Sequence, residues 1–351
     1  MNKTIAVAVS GGVDSLVSAF LLKRQGQRVF CIHFITGYES RETDQTDKHV
    51  QIDRIRKMTD DLDLDLFTVD IQTEFNRLVV DYFMNTYLAG KTPNPCLICN
   101  PAIKFGTILS HVKTLGATHL ATGHYAISRE ITKGEYGLFR GIDFRKDQSY
   151  FLSRLTQKQL SRAVFPLGGL NKTQTRKIAA ENNLEPVTRK ESQDICFIKN
   201  TTYGEFLVKQ KGIFAEPGPI IDKNNRIIGK HKGLHLYTIG QRRGLNCPAS
   251  QPYYVVKMDI KHNHLVVGFR DDTYSASCRV SDINWINGPP STPSETEVKI
   301  RYRHRAVSAT LVPDGDKEAK VFFHVPQMAV TPGQGAVFYR QNQVIGGGWI
   351  I

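Results

Sequence analysis

Short apolar runs alternate with segments of helical periodicity along the N-terminal part of the chain. The apolar run 5–9 predicts a strand, the apolar positions of 13–21 recur at helical spacing, and Gly26 interrupts that helix before a second predicted strand at 28–34. The alternation continues with strands at 66–69 and 118–122 and helices at 52–58 and 75–88. Strands that alternate with helices predict an α/β fold with a doubly wound parallel sheet, whose ligands bind at the carboxyl ends of the strands.

The pattern changes in the second half of the chain. Residues 155–183 have helical periodicity, and glycine and proline then become frequent over a small central module at about 205–270. Short alternating runs separated by turns predict a C-terminal β-barrel, with strands at 297–302, 306–311, 320–325, 336–339 and 344–351. We therefore expect three domains at 1–204, 205–270 and 271–351.

Length and composition exclude several classes of protein. The 351 residues, 40% of them hydrophobic, are enough for a large core. No stretch approaches the roughly 18 apolar residues of a membrane span, and the apolar run near the N-terminus is too short for a signal peptide. Six cysteines are too few for a disulfide scaffold in a chain of this length. We expect a cytoplasmic protein with no membrane partner.

The positive charge is unevenly distributed. Residues 1–120 carry 13 Lys and Arg against 13 Asp and Glu, whereas residues 121–351 carry 33 against 20. The whole net charge of +13 therefore lies downstream of residue 120. Basic clusters of this kind can neutralise a phosphate backbone, which favours a nucleic-acid partner. The clusters are Arg140/Arg145/Lys146, Lys172/Arg176/Lys177, Lys230/Lys232, Arg242/Arg243 and Arg301/Arg303/Arg305.

A glycine-rich turn joins the first strand to the first helix. Ser10, Gly11 and Gly12 lie between them, so backbone N–H groups and the positive end of the helix can face an anion. The Gly-Lys-Ser/Thr ending of a Walker loop is missing. The turn predicts a phosphate-binding loop of another kind, and the alternative is a tight turn without a ligand.

Two thiols three residues apart form a second candidate site. Cys96 and Cys99 flank Leu97-Ile98 beside rigid prolines, which is compatible with a dithiol, half of a zinc site or part of an iron–sulfur site. Cys196 is distant in sequence but is predicted to face the same cleft. Cys31 has the surroundings of a buried apolar residue, and Cys247 and Cys278 carry no motif.

Six motifs in order along the chain resemble the bacterial tRNA-specific 2-thiouridylase family, which belongs to the ATP-pyrophosphatase (PP-loop) superfamily. They are SGGVDS at 10–15, NPCLICNPAIKFG at 94–106, ATGHYA at 121–126, KDQSYFL at 146–152, ESQDICFI at 191–198 and LYTIGQRRGL at 236–245. The resemblance implies a PP-loop domain, a small central domain and a C-terminal barrel. It also implies that ATP adenylates the C2 oxygen of the wobble uridine of tRNA, after which sulfur replaces that oxygen.

The resemblance assigns roles to individual residues. It implies that a PP-loop segment binds the ATP phosphates, with Phe34 beside the adenine and Gly123 on the nucleotide; Phe34 could equally be a core aromatic. The PP-loop segment is Ala8, Val9, Ser10, Gly11, Gly12, Val13, Asp14 and Ser15. The positions implied to meet the target base are Asn94, Pro95 and Cys96, and those implied to contact tRNA are His124, Lys146, Asp147, Gln148, Arg301, Tyr302 and Gln334.

The sulfur chemistry has two possible routes. In the persulfide route implied by the resemblance, Cys196 receives sulfur from a sulfur-relay or cysteine desulfurase protein, and Cys99 is the nucleophile that releases it; the two thiols can pair as a disulfide. Many family members have Asp where this chain has Cys96. The third thiol allows the alternative, a four-iron four-sulfur cluster held by Cys96, Cys99 and Cys196.

Asp14 and the loop amides, together with Mg²⁺, are expected to offset charge on the departing pyrophosphate, and Lys104 is a candidate phosphate contact or an exposed lysine. Two other functions stay open. The first is that of another PP-loop tRNA thiolase such as a 2-thiocytidine synthetase, although those usually carry Lys where this chain has Val13. The second is tRNA binding without catalysis.

Overall fold

A computed structural model describes residues 3–39, 46–187, 195–199, 201–211 and 216–351. Five parallel strands form the N-terminal sheet in the order β3-β2-β1-β4-β7. They are β1 (Thr4–Ala8), β2 (Arg28–Ile35), β3 (Leu66–Asp70), β4 (His119–Ala121) and, after a hairpin of β5 (Ala126–Thr132) and β6 (Glu135–Arg140), β7 (Ala163–Val164). The predicted doubly wound parallel sheet is confirmed, and β1 and β4 lie side by side at its centre.

Helices cover this sheet. The first two are α1 (Val13–Arg24) and α2 (Thr46–Asp60), which follow β1 and β2. The helix predicted at 75–88 begins at α3 (Gln72–Phe75) and continues through a π-helical segment (Asn76–Val80) into α4 (Asp81–Leu88). A second such rod consists of α5 (Pro95–Cys99), a π-helical segment (Asn100–Ile108) and α6 (Leu109–Thr114). π-helical turns occur often at functional sites. Cys96 and Cys99 lie on α5, directly before the second π-helical segment.

The helical periodicity of 155–183 does not form one continuous helix. After α7 (Ser149–Leu152), this segment instead forms α8 (Gln157–Leu160), strand β7 and α9 (Lys172–Glu181). Pro166 and the Gly168-Gly169 pair interrupt any helix between α8 and α9. Asn171 then begins α9 with a capping box, in which its side chain accepts from the Gln174 backbone N–H.

The central module has a sheet and a core of its own. After α10 (Tyr203–Lys211), its strands β8 (Gly218–Ile221), β9 (Ile227–His231), β10 (Tyr254–Asp259) and β11 (His264–Gly268) pair in the order β10-β11-β8-β9. A 3₁₀ turn (Leu234–Leu236) lies between β9 and β10. The buried apolar side chains of the central module form a cluster separate from those of the other sheets, namely Ile220, Leu234, Tyr237, Leu245, Val255, Leu265 and Val267.

The C-terminal strands close into a six-stranded barrel after a 3₁₀ turn (Arg270–Thr273). They are β12 (Tyr274–Trp285), β13 (Ser294–Lys299), β14 (Val307–Pro313), β15 (Ala319–Met328), β16 (Gly335–Arg340) and β17 (Gln343–Ile350). Closure results from β12, which pairs with both β15 and β17. The predicted barrel is confirmed, but the strand predicted at 297–302 ends at Lys299, and Arg301 and Tyr302 lie in the following turn.

The hairpin β5–β6 connects the N-terminal domain to the barrel. β6 pairs with β17 through Phe139 opposite Gln343 and Leu138 opposite Val344, so the barrel sheet extends to eight strands. The sequence analysis did not predict this hairpin. Barrel side chains such as Val337 and Tyr339 belong to the same buried cluster as Leu120 of β4. The barrel therefore shares the main core of the N-terminal domain.

No helix in the described part of the chain is long and apolar enough to cross a membrane.

Gly168 tests how closely the hairpin packs against the segment before α9. A Cβ at this position would collide with the Ala126 carbonyl oxygen, which is backbone and cannot rotate away. We expect Gly168→Ala to lower the free energy of unfolding by about 3 kcal/mol. The matched control is Gly169→Ala, whose Cβ would meet nothing within 4 Å, and which we expect to leave stability within about 0.5 kcal/mol. Equal thermal unfolding of the two variants would contradict this packing.

Candidate functional site

The turn between β1 and α1 leaves the first amides of α1 uncapped. Gly12 is the N-cap residue, in extended conformation and without a side-chain cap, and Gly11 has a φ of +80°. The Ser15 hydroxyl donates to the Gly12 carbonyl at 2.9 Å and accepts from the Ser10 N–H at 3.2 Å, which holds the turn open. Uncapped N–H groups at a helix N-terminus bind anions well. The predicted phosphate-binding loop has the required geometry.

Gly123 follows β4 and lies directly against the start of α1. A Cβ there would lie 2.9 Å from the carbonyl carbon of Asp14 and 3.0 Å from the Ser15 nitrogen. Glycine is therefore required at this position, since two backbones meet there. The end of β4 and the loop after β1 form the walls of one crevice at the carboxyl ends of the central strands.

The Asp14 carboxylate is fixed from two sides. Both of its oxygens accept from the Lys172 ammonium, at 2.7 and 2.8 Å, and Oδ1 also accepts from the Tyr125 hydroxyl at 2.8 Å. Lys172 is only 7% exposed and is the first residue of α9. Burial raises the pKa of Tyr125, so its hydroxyl stays protonated and can donate. These contacts connect α1 and α9 at the mouth of the crevice.

Sequence reasoning did not assign Lys172 or Tyr125 to this site. Lys172 was noted as part of a basic cluster, and Tyr125 lies inside the ATGHYA motif. The signal for both was present, but a pairing across more than a hundred residues, as between Asp14 and Tyr125, is visible only once the fold brings them together.

The three candidate thiols are close enough to influence one another. Burial and, to a smaller extent, the nearby Cys196 raise the pKa of Cys96 to about 11, against the lowering effect of Lys104. Burial likewise raises the pKa of Cys99 to about 12, against the lowering effect of Lys104. The Cys196 side chain is exposed to solvent, yet the protein around it raises its pKa by desolvation. Lys104 again has the largest lowering effect on that pKa. The prediction that Cys196 faces the same cleft therefore agrees with its electrostatic contact with Cys96 and Cys99.

Lys104 is the cation shared by all three thiols. Its ammonium lies 3.4 Å from Nε2 of His124, whose Nδ1 is 2.6 Å from the Thr122 hydroxyl. His124 is 7% exposed, and its burial, together with the charge of Lys104, lowers its pKa well below the usual range. The imidazole is therefore neutral, and Lys104 is the cation that lowers the pKa values of Cys96, Cys99 and Cys196.

Barrel side chains support the helix that carries the cysteines. The Gln334 amide donates to the carbonyls of Thr92 at 3.1 Å and Pro93 at 3.0 Å, immediately before the 94–96 segment. Asn100 donates to the Cys96 carbonyl at 3.0 Å and to the Phe151 carbonyl at 3.0 Å. The Phe151 ring packs at 4.3 Å from that of Tyr302 in the barrel turn. The barrel thus holds α5 in place.

Comparison with known proteins covers the whole chain. Residues 3–200 match a family model described as the tRNA methyl transferase HUP domain, residues 205–269 the tRNA methyl transferase PRC-barrel domain, and residues 275–350 the aminomethyltransferase beta-barrel domain. A tRNA-specific 2-thiouridylase MnmA from Desulfosudis oleivorans is 48% identical over 349 residues, which are 99% of this chain and 95% of that protein. The chain belongs to the tRNA-specific 2-thiouridylase family.

Other members of the 2-thiouridylase family are similarly related. Those from Geotalea uraniireducens and Natranaerobius thermophilus are each 41% identical and cover 99% and 100% of this chain, and 95% and 98% of their own lengths. Among solved structures, a chain described as a predicted subunit of tRNA methyltransferase from Methanocaldococcus jannaschii covers 51% of this chain and 75% of its own. Its TM-score of 0.31 and identity of 15% are too low to define the fold.

The residues implied to contact tRNA lie in different surroundings. Lys146 and Gln148 are half-buried and Arg301 is exposed, whereas His124 and Asp147 are buried. Asp147 accepts from the backbone N–H groups of Gly141 and Ser149 and so shapes the turn before α7. Gln148 exchanges two hydrogen bonds with the Tyr125 backbone. Direct contact of these residues with tRNA, which the resemblance to the 2-thiouridylase family implies, stays a prediction.

The other implied residues are placed as follows. Phe34 is half-buried near the end of β2 and packs against the main core, in agreement with either an adenine contact or a core aromatic. Asn94 and Pro95 are buried at the start of α5. Part of the ESQDICFI motif, residues 191–194, lies outside the described residues.

The cysteines do not fit a cluster in their present positions. Among the residues that the structure describes, which include Cys96, Cys99 and Cys196, no group of three or more His, Cys, Asp or Glu side chains could hold a metal ion. All six cysteines are free thiols, so the implied pairing of Cys99 with Cys196 is not formed here. The iron–sulfur ligand set is therefore not supported for this 2-thiouridylase family member.

The charge of Lys104 can be tested through thiol reactivity. Because burial raises the pKa of the three cleft thiols, their alkylation at pH 7 should be slow and should rise about tenfold per pH unit up to the pKa. We expect Lys104→Met to slow alkylation of Cys96, Cys99 and Cys196 further at fixed pH, and Lys104→Arg to leave it nearly unchanged. Cys247, whose pKa is raised by burial alone, is the internal reference. Mass spectrometry of labelled peptides measures the rates; equal slowing of Cys247 would contradict the assignment.

The ion pair of Asp14 with Lys172 makes a second prediction. Lys172→Met leaves a half-buried carboxylate without its main partner, so we expect the free energy of unfolding to fall by about 2 kcal/mol. Addition of Asp14→Asn to that variant should recover about half of the loss, because the unpaired charge is then removed. Denaturant titration of the two single variants and the double variant measures the coupling. Strictly additive effects would show that the two side chains do not act as a pair.

Proposed function

We propose that the protein is a sulfurtransferase that uses ATP to replace the C2 oxygen of a tRNA wobble uridine with sulfur. The observation that carries the proposal is the convergence of Cys96, Cys99 and Cys196 on Lys104, next to an uncapped glycine loop. Its support comes also from a relative named tRNA-specific 2-thiouridylase that is 48% identical over nearly the whole chain. In this proposal the PP-loop domain takes residues 1–204, the central domain 205–270 and the barrel 271–351.

The nucleotide half of the site binds ATP. The amides of Ser10–Ser15 and the positive end of α1 face the phosphates, and the close approach of Gly123 shapes the opposite wall. Phe34 would lie beside the adenine. Asp14 would hold Mg²⁺ in place of the Lys172 ammonium that its oxygens bind here, since proteins bind this ion through one or two carboxylates together with phosphate oxygens. When bound, that ion offsets negative charge on the phosphates.

Adenylation activates the uridine. The C2 oxygen attacks the α-phosphorus of ATP, a P–O bond breaks, and pyrophosphate leaves with the negative charge. Asn94, Pro95 and Cys96 would meet the base at the start of α5, where the contacts of Gln334 hold the preceding backbone. A fixed base lowers the entropic part of the barrier. Adenylation converts a poor leaving oxygen into AMP.

Sulfur transfer then follows a persulfide route. The terminal sulfur of a Cys196 persulfide attacks C2, and AMP leaves with the C2 oxygen. The Cys99 thiolate next attacks Sγ of Cys196, which forms the Cys99–Cys196 disulfide and releases 2-thiouridine; an external dithiol reduces the disulfide. Lys104 favours the thiolate forms that this chemistry needs, since its charge lowers the pKa of both groups.

Two partners follow from this proposal. The excess of Lys and Arg in residues 121–351 supports a tRNA partner. A persulfide on Cys196 must come from a sulfur-relay or cysteine desulfurase protein, and the exposure of Cys196 leaves it accessible to such a donor. Cys96 is an accessory in this scheme, in the position where many family members have Asp.

The experiment quantifies 2-thiouridine by mass spectrometry in unmodified tRNA incubated with enzyme, ATP and Mg²⁺. Metal-free protein charged with persulfide is compared with anaerobically iron-loaded protein given sulfide. We expect product from the metal-free sample, none from Cys99→Ser or Cys196→Ser, and at least partial pyrophosphate release in both variants. Cys247→Ser, outside the cleft pair, should thiolate normally.

Cys96→Asp separates the two sulfur routes. Under the persulfide route this variant retains most of its activity, because Cys96 is not in the transfer sequence. Product confined to iron-loaded wild-type protein, with loss in Cys96→Asp, would overturn the persulfide route. Product that proves to be 2-thiocytidine would replace the substrate, and binding of tRNA without binding of ATP would reduce the protein to an RNA-binding role.

A further inference from the structure

A turn beside the nucleotide loop exposes an aromatic ring to solvent. Phe144 is 71% exposed, and Ile142 on the same turn is 52% exposed. Both belong to Gly141–Gln148, which connects β6 to α7 and is called the aromatic turn below. An isolated exposed apolar residue is ordinary, so exposure alone assigns no role to Phe144. The surroundings of the ring carry the argument.

The aromatic turn is held in one conformation by its own hydrogen bonds. The Asp143 carboxylate accepts from the Arg145 N–H at 3.1 Å, and its carbonyl accepts from the Lys146 N–H at 3.0 Å. Asp147 accepts from the Gly141 N–H at 3.2 Å. A ring on a preordered turn loses little conformational entropy when it binds a partner.

The same turn is anchored to the nucleotide site at two points. Asp143 accepts from the backbone N–H of Lys172 at 3.0 Å, and the Lys172 side chain binds Asp14. Gln148 exchanges hydrogen bonds with the backbone of Tyr125, whose hydroxyl also binds Asp14. The turn that carries Phe144 is therefore fixed to the two residues that hold the Asp14 carboxylate.

The charge around Phe144 selects the class of partner. Arg145 is exposed beside it, and Lys146 follows. An aromatic ring flanked by cations is the arrangement with which proteins stack unpaired bases while they neutralise the adjoining phosphates.

We propose that Phe144 stacks on an unpaired nucleotide of the tRNA beside the target uridine, with Arg145 on an adjoining phosphate. The inference rests on the proposed function and adds a binding residue to it. Stacking holds the neighbouring nucleotide, while base recognition and chemistry stay with the crevice. Phe144 is a binding residue, and ATP does not need it.

The test measures the Kd of an unmodified tRNA transcript with a wobble uridine for the full-length protein at several salt concentrations. We expect Phe144→Ala to weaken binding about tenfold, in line with the loss of one stacked base. Phe144→Trp should retain the affinity, and Phe144→Leu, which is apolar but has no ring, should lose most of it. Val325→Ala, at a barrel position that is 68% exposed, is the matched control and should bind as the wild type does.

Salt dependence separates the two side chains of the aromatic turn. Phe144→Ala should leave the slope of log Kd against log salt unchanged, whereas Arg145→Ala should reduce it by about one. In Phe144→Trp, the fluorescence of the new indole should be quenched by tRNA, against the background of Trp285 and Trp349 in the wild type. ATP affinity and melting temperature should match the wild type in all these variants.

The outcomes distinguish this inference from the proposed function. If wild-type protein binds and thiolates tRNA but Phe144→Ala has the wild-type Kd, the stacking inference is wrong and the function stands. If Phe144→Leu binds as well as the wild type, the contact is apolar and is not stacking, which also overturns it. If the wild type neither binds nor thiolates tRNA, the proposed function itself fails.

Discussion

The Asp14 carboxylate is the point on which the organisation of the crevice depends. It carries a negative charge at the place where a polyphosphate is proposed to bind, which would by itself oppose binding. Lys172 neutralises it, and the Tyr125 hydroxyl fixes its orientation. Because Lys172 begins α9 and Tyr125 follows β4, one side chain determines how two helices and a central strand end meet.

The thiols illustrate an opposition between burial and charge. Burial protects a reactive sulfur from solvent, but it also raises the pKa and so removes the thiolate that reacts. Lys104 opposes this rise in pKa for all three thiols. His124 beside it is neutral, so the imidazole adds no second positive charge. Burial is nevertheless the larger effect, so the pKa of each thiol stays raised, and Lys199 also lowers that of Cys196.

The sequence predicted those features that depend on local patterns. The parallel sheet, the glycine loop and the barrel each have a periodicity or a turn signal within a few residues. The sheet and the barrel are confirmed, and a glycine turn lies at the predicted position, whose phosphate binding stays a prediction. The hairpin β5–β6 was not predicted, and its pairing with β17 joins residues about two hundred positions apart, which no local pattern indicates. The helix predicted over 155–183 is interrupted, because Pro166 and Gly168 disfavour a helix more strongly than the apolar periodicity favours one.

The site was predictable to a similar extent. The motifs predict a site at the loop and the thiols, whereas Lys104 is predicted only as a phosphate contact or an exposed lysine, and Lys172 as part of a basic cluster for a nucleic-acid partner. Both roles arise from tertiary proximity, which composition and spacing do not encode. Buried His124 and Asp147 show the converse: a motif can mark a residue whose observed contacts are internal.

The hydrogen bonds between the barrel and the N-terminal domain have a mechanical consequence. β17 pairs with β6, the Gln334 side chain donates to the backbone before α5, and the Gly335 carbonyl accepts from the Tyr150 hydroxyl at 3.0 Å. A displacement of the barrel would therefore strain hydrogen bonds that reach the backbone immediately before the sulfur-bearing helix α5. Separation of the barrel would leave β6 and the first residues of β17 with unpaired backbone groups, although pairing of β12 with β17 would keep the barrel itself closed.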